Sequence, residues 1–330
     1  MLFDLAPKER LKDLFDRKEE YGELSRLIRS GRWVAVLGKR MTGKTSLVKT
    51  FAHENNGIYV NLLGAGRIEE FARRLAAAGG LSLKEMILDL RIVRVKWVRL
   101  AEEILGRLRK RIIVLDEVQD IASPRFLKLL KYIWDTYSGI KIVFSGSYIG
   151  VMKRLLNPKS ASPLYGREPA KLILKPFPAD VSRQFLLEGF KQYRRRVRMD
   201  EVEEVVQKLN GYVGWLTLYG NLRCVERLNH EDALKKTVQR GSAIIRDELE
   251  NFLRNRRRDL YLSVLRMTIY GARWSELKNR LNVNSKVLRD ILQTLKDVMI
   301  LDEDHGYYRI SDPIVGEAVK RLRIRASQSR

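Results

Sequence analysis

Gly38-Lys-Arg-Met-Thr-Gly-Lys-Thr45 fits the spacing G-x-x-x-x-G-K-[ST], and it lies between a short apolar run, Trp33 to Leu37, and a helix-like one, Ser46 to Ala52. The spacing matters because glycines let the backbone bend until several N–H groups converge, while the positive end of the following helix points at the same spot. Such a loop cradles phosphate oxygens. Gly38, Lys39, Arg40, Met41, Thr42, Gly43, Lys44, Thr45 and Ser46 are therefore the expected phosphate-binding residues. Lys44 would neutralise the terminal phosphates and the Thr45 hydroxyl would hold Mg²⁺.

A loop of this kind needs a strand before it and a helix after it, and the chain supplies more of both. Gly57 to Leu62, Ile112 to Leu115, Ile142 to Phe144 and Leu172 to Leu174 read as further buried strands separated by helical stretches. Strands alternating with helices predict an α/β fold, a parallel sheet covered on both faces in the αβα manner of P-loop NTPases. Ahead of the loop, Glu9 to Ser30 has helical spacing, with Leu11, Leu14, Phe15, Leu24 and Leu27 on its apolar positions. Between Gly79 and Lys110, Val93, Val95 and Trp97 alternate with Arg94 and Lys96, so that strand and helix both stay open.

The second half of the chemistry follows about seventy residues on. In Ile112-Ile-Val-Leu-Asp-Glu-Val-Gln-Asp120 an apolar strand ends in paired carboxylates. Asp116 is placed to reach Mg²⁺, and Glu117 to orient or deprotonate an attacking water. After a phosphate-binding loop, such a pair points to ATP hydrolysis. The strand Lys141 to Phe144 runs into Ser145-Gly-Ser147, so Ser145 or Ser147 is expected near the γ-phosphate or the water.

From Pro178 the strand signal stops and helical patterns run to about Leu249. After the charged junction Arg254 to Asp259, helices are expected over Leu260 to Tyr270, Trp274 to Leu281 and Ser285 to Val298. A hairpin of Met299 to Leu301 and Tyr307 to Ile310 follows, with Asp302, Glu303 and Asp304 at its tip. Three helices and a hairpin make a winged helix-turn-helix. The predicted division is thus a P-loop ATPase domain at 1–177, a helical lid at 178–250 and a winged helix at 251–330.

Composition narrows the partners. The 330 residues carry 64 Lys and Arg against 40 Asp and Glu, a net charge of +24, which favours a polyanion and makes nucleic acid the first candidate, double-stranded DNA if the winged helix is the reader. A thermophile's ion-pair networks explain many charges but not this imbalance. Residues 251–330 alone hold 17 Lys and Arg against 9 Asp and Glu. There Lys286, Arg289, Gln293 and Lys296 share a face apart from the apolar stripe, which is what a helix presents to phosphates and base edges. The acidic hairpin argues instead for a protein partner. The run Lys191 to Arg198 reads as a solvated face. One cysteine, Cys224, excludes an internal disulfide, and no apolar run or leader pattern suggests a membrane, so a cytoplasmic protein is expected.

The pieces "LFDRKEEYGEL", "GKRMTGKTSLV", "IIVLDEVQD", "FSGSYIG", "SPLYGREPAKLILKPF", "GYVGWLTLYG" and "YYRISDPIV", in this order, resemble the archaeal ATPase family, a branch of the STAND signal-transduction P-loop ATPases that is similar to AAA+ proteins. The resemblance implies that Arg17 lies near the adenine and the domain junction and that Ser147 is the sensor residue. It also implies that Arg167 reads the terminal phosphate, in its own subunit or a neighbour, and that Gly214 and Trp215 belong to a lid over the nucleotide. Asp16 stands where the family usually has Gly, and Val213 where it often has Pro. The expected function is a Mg²⁺-dependent ATP-hydrolysing switch associated with DNA through its winged helix. A signalling or scaffold ATPase whose winged helix docks protein is the alternative, and an origin-recognition-like initiator a further one. Oligomers are allowed but not fixed by the pattern.

Overall fold

In chain order the first part of the protein forms α1 (Lys18–Arg29), β1 (Val34–Gly38), α2 (Lys44–Glu54), β2 (Ile58–Asn61), α3 (Ile68–Ala78), α4 (Leu83–Asp89), α5 (Trp97–Arg107), β3 (Ile112–Asp116), α6 (Pro124–Thr136), β4 (Lys141–Ser145) and β5 (Ala170–Leu174). The computed structural model describes residues 1–89, 97–109, 111–121, 124–146, 152, 155–160 and 162–323. Its five strands pair in the order β2-β3-β4-β1-β5, every neighbouring pair parallel. β1 is buried along its whole length, as a strand covered on both faces must be, whereas β5 at the edge alternates buried and exposed. Leu47, Val48 and Phe51 of α2 pack with Val36, Val114 and Val143 of the sheet in one apolar core. β4 therefore separates the strand that carries the glycine loop from the strand that carries Asp116.

The helix expected over Glu9 to Ser30 is shorter. A single 3₁₀ turn covers Leu11–Asp13, and α1 begins only at Lys18. Asp16 interrupts it, held at a left-handed φ of 46°. Glycine adopts that conformation freely, and Asp is among the few other residues that tolerate it. This accounts for an Asp at a position where the family has Gly. Trp97 lies on a helix, while Val93 and Val95 fall outside the described residues.

Two compact units divide the chain, Ala6–Lys175 and a second made of Met1–Leu5 with Pro176–Arg330. In the second, α7 (Ala179–Gln192), α8 (Met199–Leu209), α9 (Val213–Cys224) and α10 (His230–Leu253) are followed by α11 (Arg258–Met267), β6 (Ala272–Arg273), α12 (Trp274–Leu281), α13 (Ser285–Asp297), β7 (Asp302–Asp304), β8 (Tyr307–Arg309) and α14 (Pro313–Arg321). Val213 is the first residue of α9, the position where proline is favoured in helices, so the family's Pro and this chain's Val serve one conformation. No division falls near residue 250, because α10 runs through it and meets α14 closely. A Cβ on Gly241 would lie 2.9 Å from the Ile314 side chain. Trp215, fully buried, donates from Nε1 to Asp312 Oδ2 at 3.2 Å, and the Tyr212 hydroxyl lies 3.0 Å from that of Ser311. The two motifs "GYVGWLTLYG" and "YYRISDPIV" thus meet, which seats the C-terminal helices on the preceding bundle.

At the C-terminal end β6, β8 and β7 form an antiparallel sheet in that order. His305 and Gly306, both at positive φ, make the two-residue turn of the hairpin. Asp302, Glu303 and Asp304 are consequently a strand and not the tip.

Candidate active site

Gly38 closes β1 because nothing larger fits there. A Cβ would sit 2.7 Å from the Leu174 carbonyl oxygen and 2.9 Å from Thr42 Oγ1. The loop then turns through Met41 at φ 60° and reaches Gly43, whose φ of 92° begins α2. Thr42 is wholly buried, and its hydroxyl donates to the Lys39 carbonyl at 2.7 Å. Lys44 folds back over the loop and donates to the carbonyls of Gly38 and Lys39 at 2.8 and 2.9 Å. Burial pushes the Lys44 ammonium down to about 8, against the opposing pull of the Glu117 and Asp116 carboxylates. The lysine is thus a desolvated cation held by backbone carbonyls, with the charges of two acids favouring its protonated form. Arg40 is exposed, Lys39, Met41 and Thr45 are half-buried, and the Ser46 hydroxyl is engaged on the other side, accepting from the Lys8 N–H at 3.1 Å.

Asp116 is only 2 % exposed at the end of β3, with both carboxylate oxygens occupied. Oδ2 accepts from the Tyr59 hydroxyl at 2.8 Å, and Oδ1 accepts from the Ser145 hydroxyl and from the Glu117 N–H at 3.1 Å. Strand order explains the Ser145 bond, since β4 ends between Asp116 and the loop. Glu117 then turns left-handed at φ 56°, and its Oε2 accepts from Gln119 Nε2 at 2.5 Å. Gly146 has to be glycine for the same reason, because a Cβ there would meet Gln119 Oε1 at 2.0 Å. Ser147, the other serine of the pair, lies outside the described residues.

Tyr59 and Gln119 were not singled out by sequence reasoning. Gln119 lies within the Ile112–Asp120 stretch but was given no role there, and no motif marks Tyr59. The one available signal was a tyrosine inside a strand that pairs with the acid-bearing strand, since a half-buried phenol generally finds an acceptor. Burial, with the charge of Asp116 beside it, raises the Tyr59 hydroxyl well above its ordinary range, so it stays a donor.

Arg17, 6 % exposed, lies against both the glycine loop and Lys175, the last residue of the first unit. Its guanidinium donates to the carbonyls of Thr42 at 3.1 Å and Lys175 at 2.7 Å and pairs with Glu20 at 2.5 Å, so it ties the glycine loop to the end of the strand beside it. Arg167 pairs with Asp135 at 3.2 Å, just ahead of β5 and at the close of α6. That is the end of the sheet where strands begin, opposite Gly38. Trp215 is buried within its own unit against Asp312. Ahead of the C-terminal hairpin, Lys286 and Arg289 are exposed on α13, whereas Lys296 pairs with Glu303 of β7 and Gln293 donates to Asp297 at 2.7 Å.

Residues 14–218 match the family described as an ATPase domain predominantly from Archaea. The chain belongs to that family. Members are ATP-hydrolysing enzymes of the P-loop class, and the archaeal ATPase fold extends beyond the matched segment. A Walker-type ATPase of Pyrococcus abyssi is 28% identical, with a TM-score of 0.81 over 97% of this chain and 100% of that one. The ORC2 protein of Aeropyrum pernix, solved in ADPNP-ADP complexes, is 16% identical with a TM-score of 0.62, covering 97% of this chain and 96% of its own. The Cdc6 protein of Pyrobaculum aerophilum is 13% identical with a TM-score of 0.53 over 96% of each chain. At those identities the last two likenesses concern the fold of the archaeal ATPase alone. No curated protein sequence matches the chain. Among the described residues no helix is long and apolar enough to cross a membrane.

Proposed function

We propose that this archaeal ATPase is a Mg²⁺-dependent, nucleotide-driven switch that associates with double-stranded DNA. The observation that carries the nucleotide half is Lys44, folded over the glycine loop with Asp116 and Glu117 close enough to act on its charge. A divalent cation fits the donor set. Asp116 offers a buried carboxylate whose two oxygens are already oriented by Tyr59 and Ser145, and hard oxygen ligands with a hydroxyl are what Mg²⁺ takes. Thr45 and Asp116 would hold the ion, which would supply positive charge against the charge that develops on the phosphoryl group. Lys44 binds the terminal phosphates and Glu117 accepts the proton of the attacking water, with Gln119 setting its direction.

The DNA half is supported by the +24 net charge and by the winged helix-turn-helix reading of residues 251–330, where α11, α12 and α13 precede the β7–β8 hairpin and α14 follows it. Lid movement would carry that module with it, since Trp215 and Asp312 join the two. A protein-docking role for the module is the second reading, favoured by the pairing of Lys296 with Glu303, which takes a cation out of the face meant for phosphates. The likeness to initiator folds is one of architecture and adds no role. ATP turnover measured with and without mixed duplex, alongside duplex affinity at two salt concentrations, tests the proposal. A log affinity that falls steeply with log salt is expected, and absence of duplex binding at low salt would favour protein docking.

A further inference from the structure

Two helix ends in the second unit are finished in a way that local conformational preference does not explain. After α7 the chain turns through Arg194 at φ 52°, with the Arg194 and Arg195 N–H groups returning to the carbonyls of Lys191 and Phe190, both at 2.9 Å. After α9 it turns through Arg227 at φ 60°, where the Glu226 and Leu228 N–H groups bond Asn221 and Leu222 at 3.2 and 3.0 Å. Left-handed positions at helix ends favour Gly or Asn, because other side chains crowd the carbonyl. The same chain uses Asn56, Asn210 and Asn282 after α2, α8 and α12, and a bulkier residue, Met299, after α13. Arginine is a poor choice for the turn, so its charge is the property to be explained.

The helices that end in these turns, α7 and α9, pack side by side. Gly189 of α7 and Gly220 of α9 face the same Phe3 ring, which would stand 2.2 and 2.3 Å from a Cβ at either position. One turn further on, the Arg223 guanidinium lies 5.9 Å from the Phe190 ring centre. Burial pushes the Cys224 thiol up to about 11, and the charges of Arg195 and Arg223 act against that, which puts Arg195 beside the end of α9. Arg194, Arg195, Arg196 and Arg227 are all exposed. The nearby acids have partners: Glu201 binds Arg223, Glu226 binds Lys236 and Arg240, and Glu188 lies 3.8 Å from Lys191. Among the described residues no ion pair involves the four arginines.

We infer that these two arginine-bearing turns form a surface for the sugar–phosphate backbone of duplex DNA. The inference rests on the DNA association proposed above and names where on the chain the backbone is held. Guanidinium forks match phosphate geometry in a way lysine does not, and an unpaired cluster of them neutralises successive phosphates without reading bases. Helix C-termini also favour cations, which is the competing structural explanation. The two explanations predict opposite changes in stability.

The test uses the full chain, a mixed-sequence duplex, and vesicles rich in phosphatidylserine as a second polyanion. Arg194→Asn with Arg227→Asn should raise the melting temperature by a few degrees, since Asn suits both turns, while weakening duplex binding several-fold. Adding Arg195→Ala and Arg196→Ala should flatten the salt dependence by about 0.9 log units for each phosphate no longer neutralised. ATP turnover without DNA should not change. The inference is overturned if the fourfold variant binds duplex with the parent's affinity and salt slope, if the Asn pair lowers the melting temperature and leaves binding intact, or if the arginines are needed for vesicles and not for duplex. A parent chain that does not bind duplex at all would instead remove the DNA association itself.

Discussion

The glycine loop with its acids and the exposed face of α13 both carry cations meant for phosphate, yet their side chains are held in opposite ways. Around the loop the principal polar groups are fixed by hydrogen bonds: Lys44 by the loop's own backbone carbonyls, Asp116 by Tyr59 on one neighbouring strand and Ser145 on the other, and the loop itself by Arg17. On α13 Gln293 turns to Asp297 of its own helix and Lys296 to Glu303 of the adjacent strand, with no buried support. A preorganised site loses much when one member is removed, because the others have no alternative arrangement. A face of solvated side chains loses only one charge at a time. The comparison predicts large effects of single substitutions in the first region and small, salt-sensitive ones in the second.

The largest effect should come from Lys44→Ala, which leaves the loop without its cation and frees the carbonyls it bridges. Nucleotide affinity, measured by calorimetry, is expected to fall at least ~100-fold, with turnover lost. Next is Glu117→Gln. Its amide cannot accept a proton, so turnover should drop on the order of 10²–10⁴-fold while ATP still binds. Turnover near that of the parent would leave Glu117 a structural residue. Either result sharpens the contrast, since Gln119 aims Glu117 only if the pair acts as a unit.

Tyr59→Phe is the test of whether the fixed hydrogen bonds matter individually. Removing the hydroxyl leaves Asp116 Oδ2 without its donor at 2.8 Å. The Mg²⁺ concentration for half-maximal turnover should rise several-fold, while ADP affinity measured with a chelator present stays unchanged. A fall in maximal turnover without any change in the Mg²⁺ requirement would count against positioning of Asp116.

A pH effect follows from Lys44. Its ammonium sits at about 8 in the free chain, below the ordinary lysine value, because burial disfavours the charge. Bound phosphates restore the charge, so above about 8 binding must take up a proton. ADP affinity in a chelator should be level below that pH and fall by up to about tenfold per pH unit above it. For stability alone the sign is the reverse. The unfolded chain binds the proton more tightly than the folded one, so the burial penalty is relieved as pH rises from about 8 toward the ordinary lysine range.

Why the first region was legible in the sequence and the second was not follows from the same difference. Gly38, Gly43 and Gly146 are dictated by backbone conformation or close approach, and β1 and β3 by burial on both faces, so each requirement writes itself into a single residue or run. Asp116 and Glu117 could be found because the strand ends there. Tyr59 could not, because its role depends on the register that sets Asn61 opposite Asp116, a pairing made between distant segments. Arg17 was noticed, but its partners Thr42 and Lys175 are equally remote in the chain. For α13 the helical face was read correctly as a face, with Leu288, Ile291, Leu292 and Leu295 buried behind it. What spacing alone could not reveal was that Asp302–Asp304 pair as a strand and put Glu303 against Lys296.

That ion pair supplies the smallest and most discriminating comparison. Lys296 and Glu303 are both about one third exposed, so the pair itself should contribute little to stability, about 0–1 kcal/mol. Its effect on duplex binding depends on whether Lys296 is already spent. If α13 meets phosphates, Lys286→Ala and Arg289→Ala should each weaken binding and lower the salt slope, while Lys296→Ala should do less because its charge is neutralised within the chain. Glu303→Gln then becomes informative, since it releases Lys296 without adding a cation. Tighter duplex binding in Glu303→Gln, lost again when Lys296→Ala is added, would mean that the face touches DNA and that the acidic strand tempers it. No response to any of the four substitutions would leave α13 as a protein-docking face, with the charge that binds DNA carried elsewhere on the molecule.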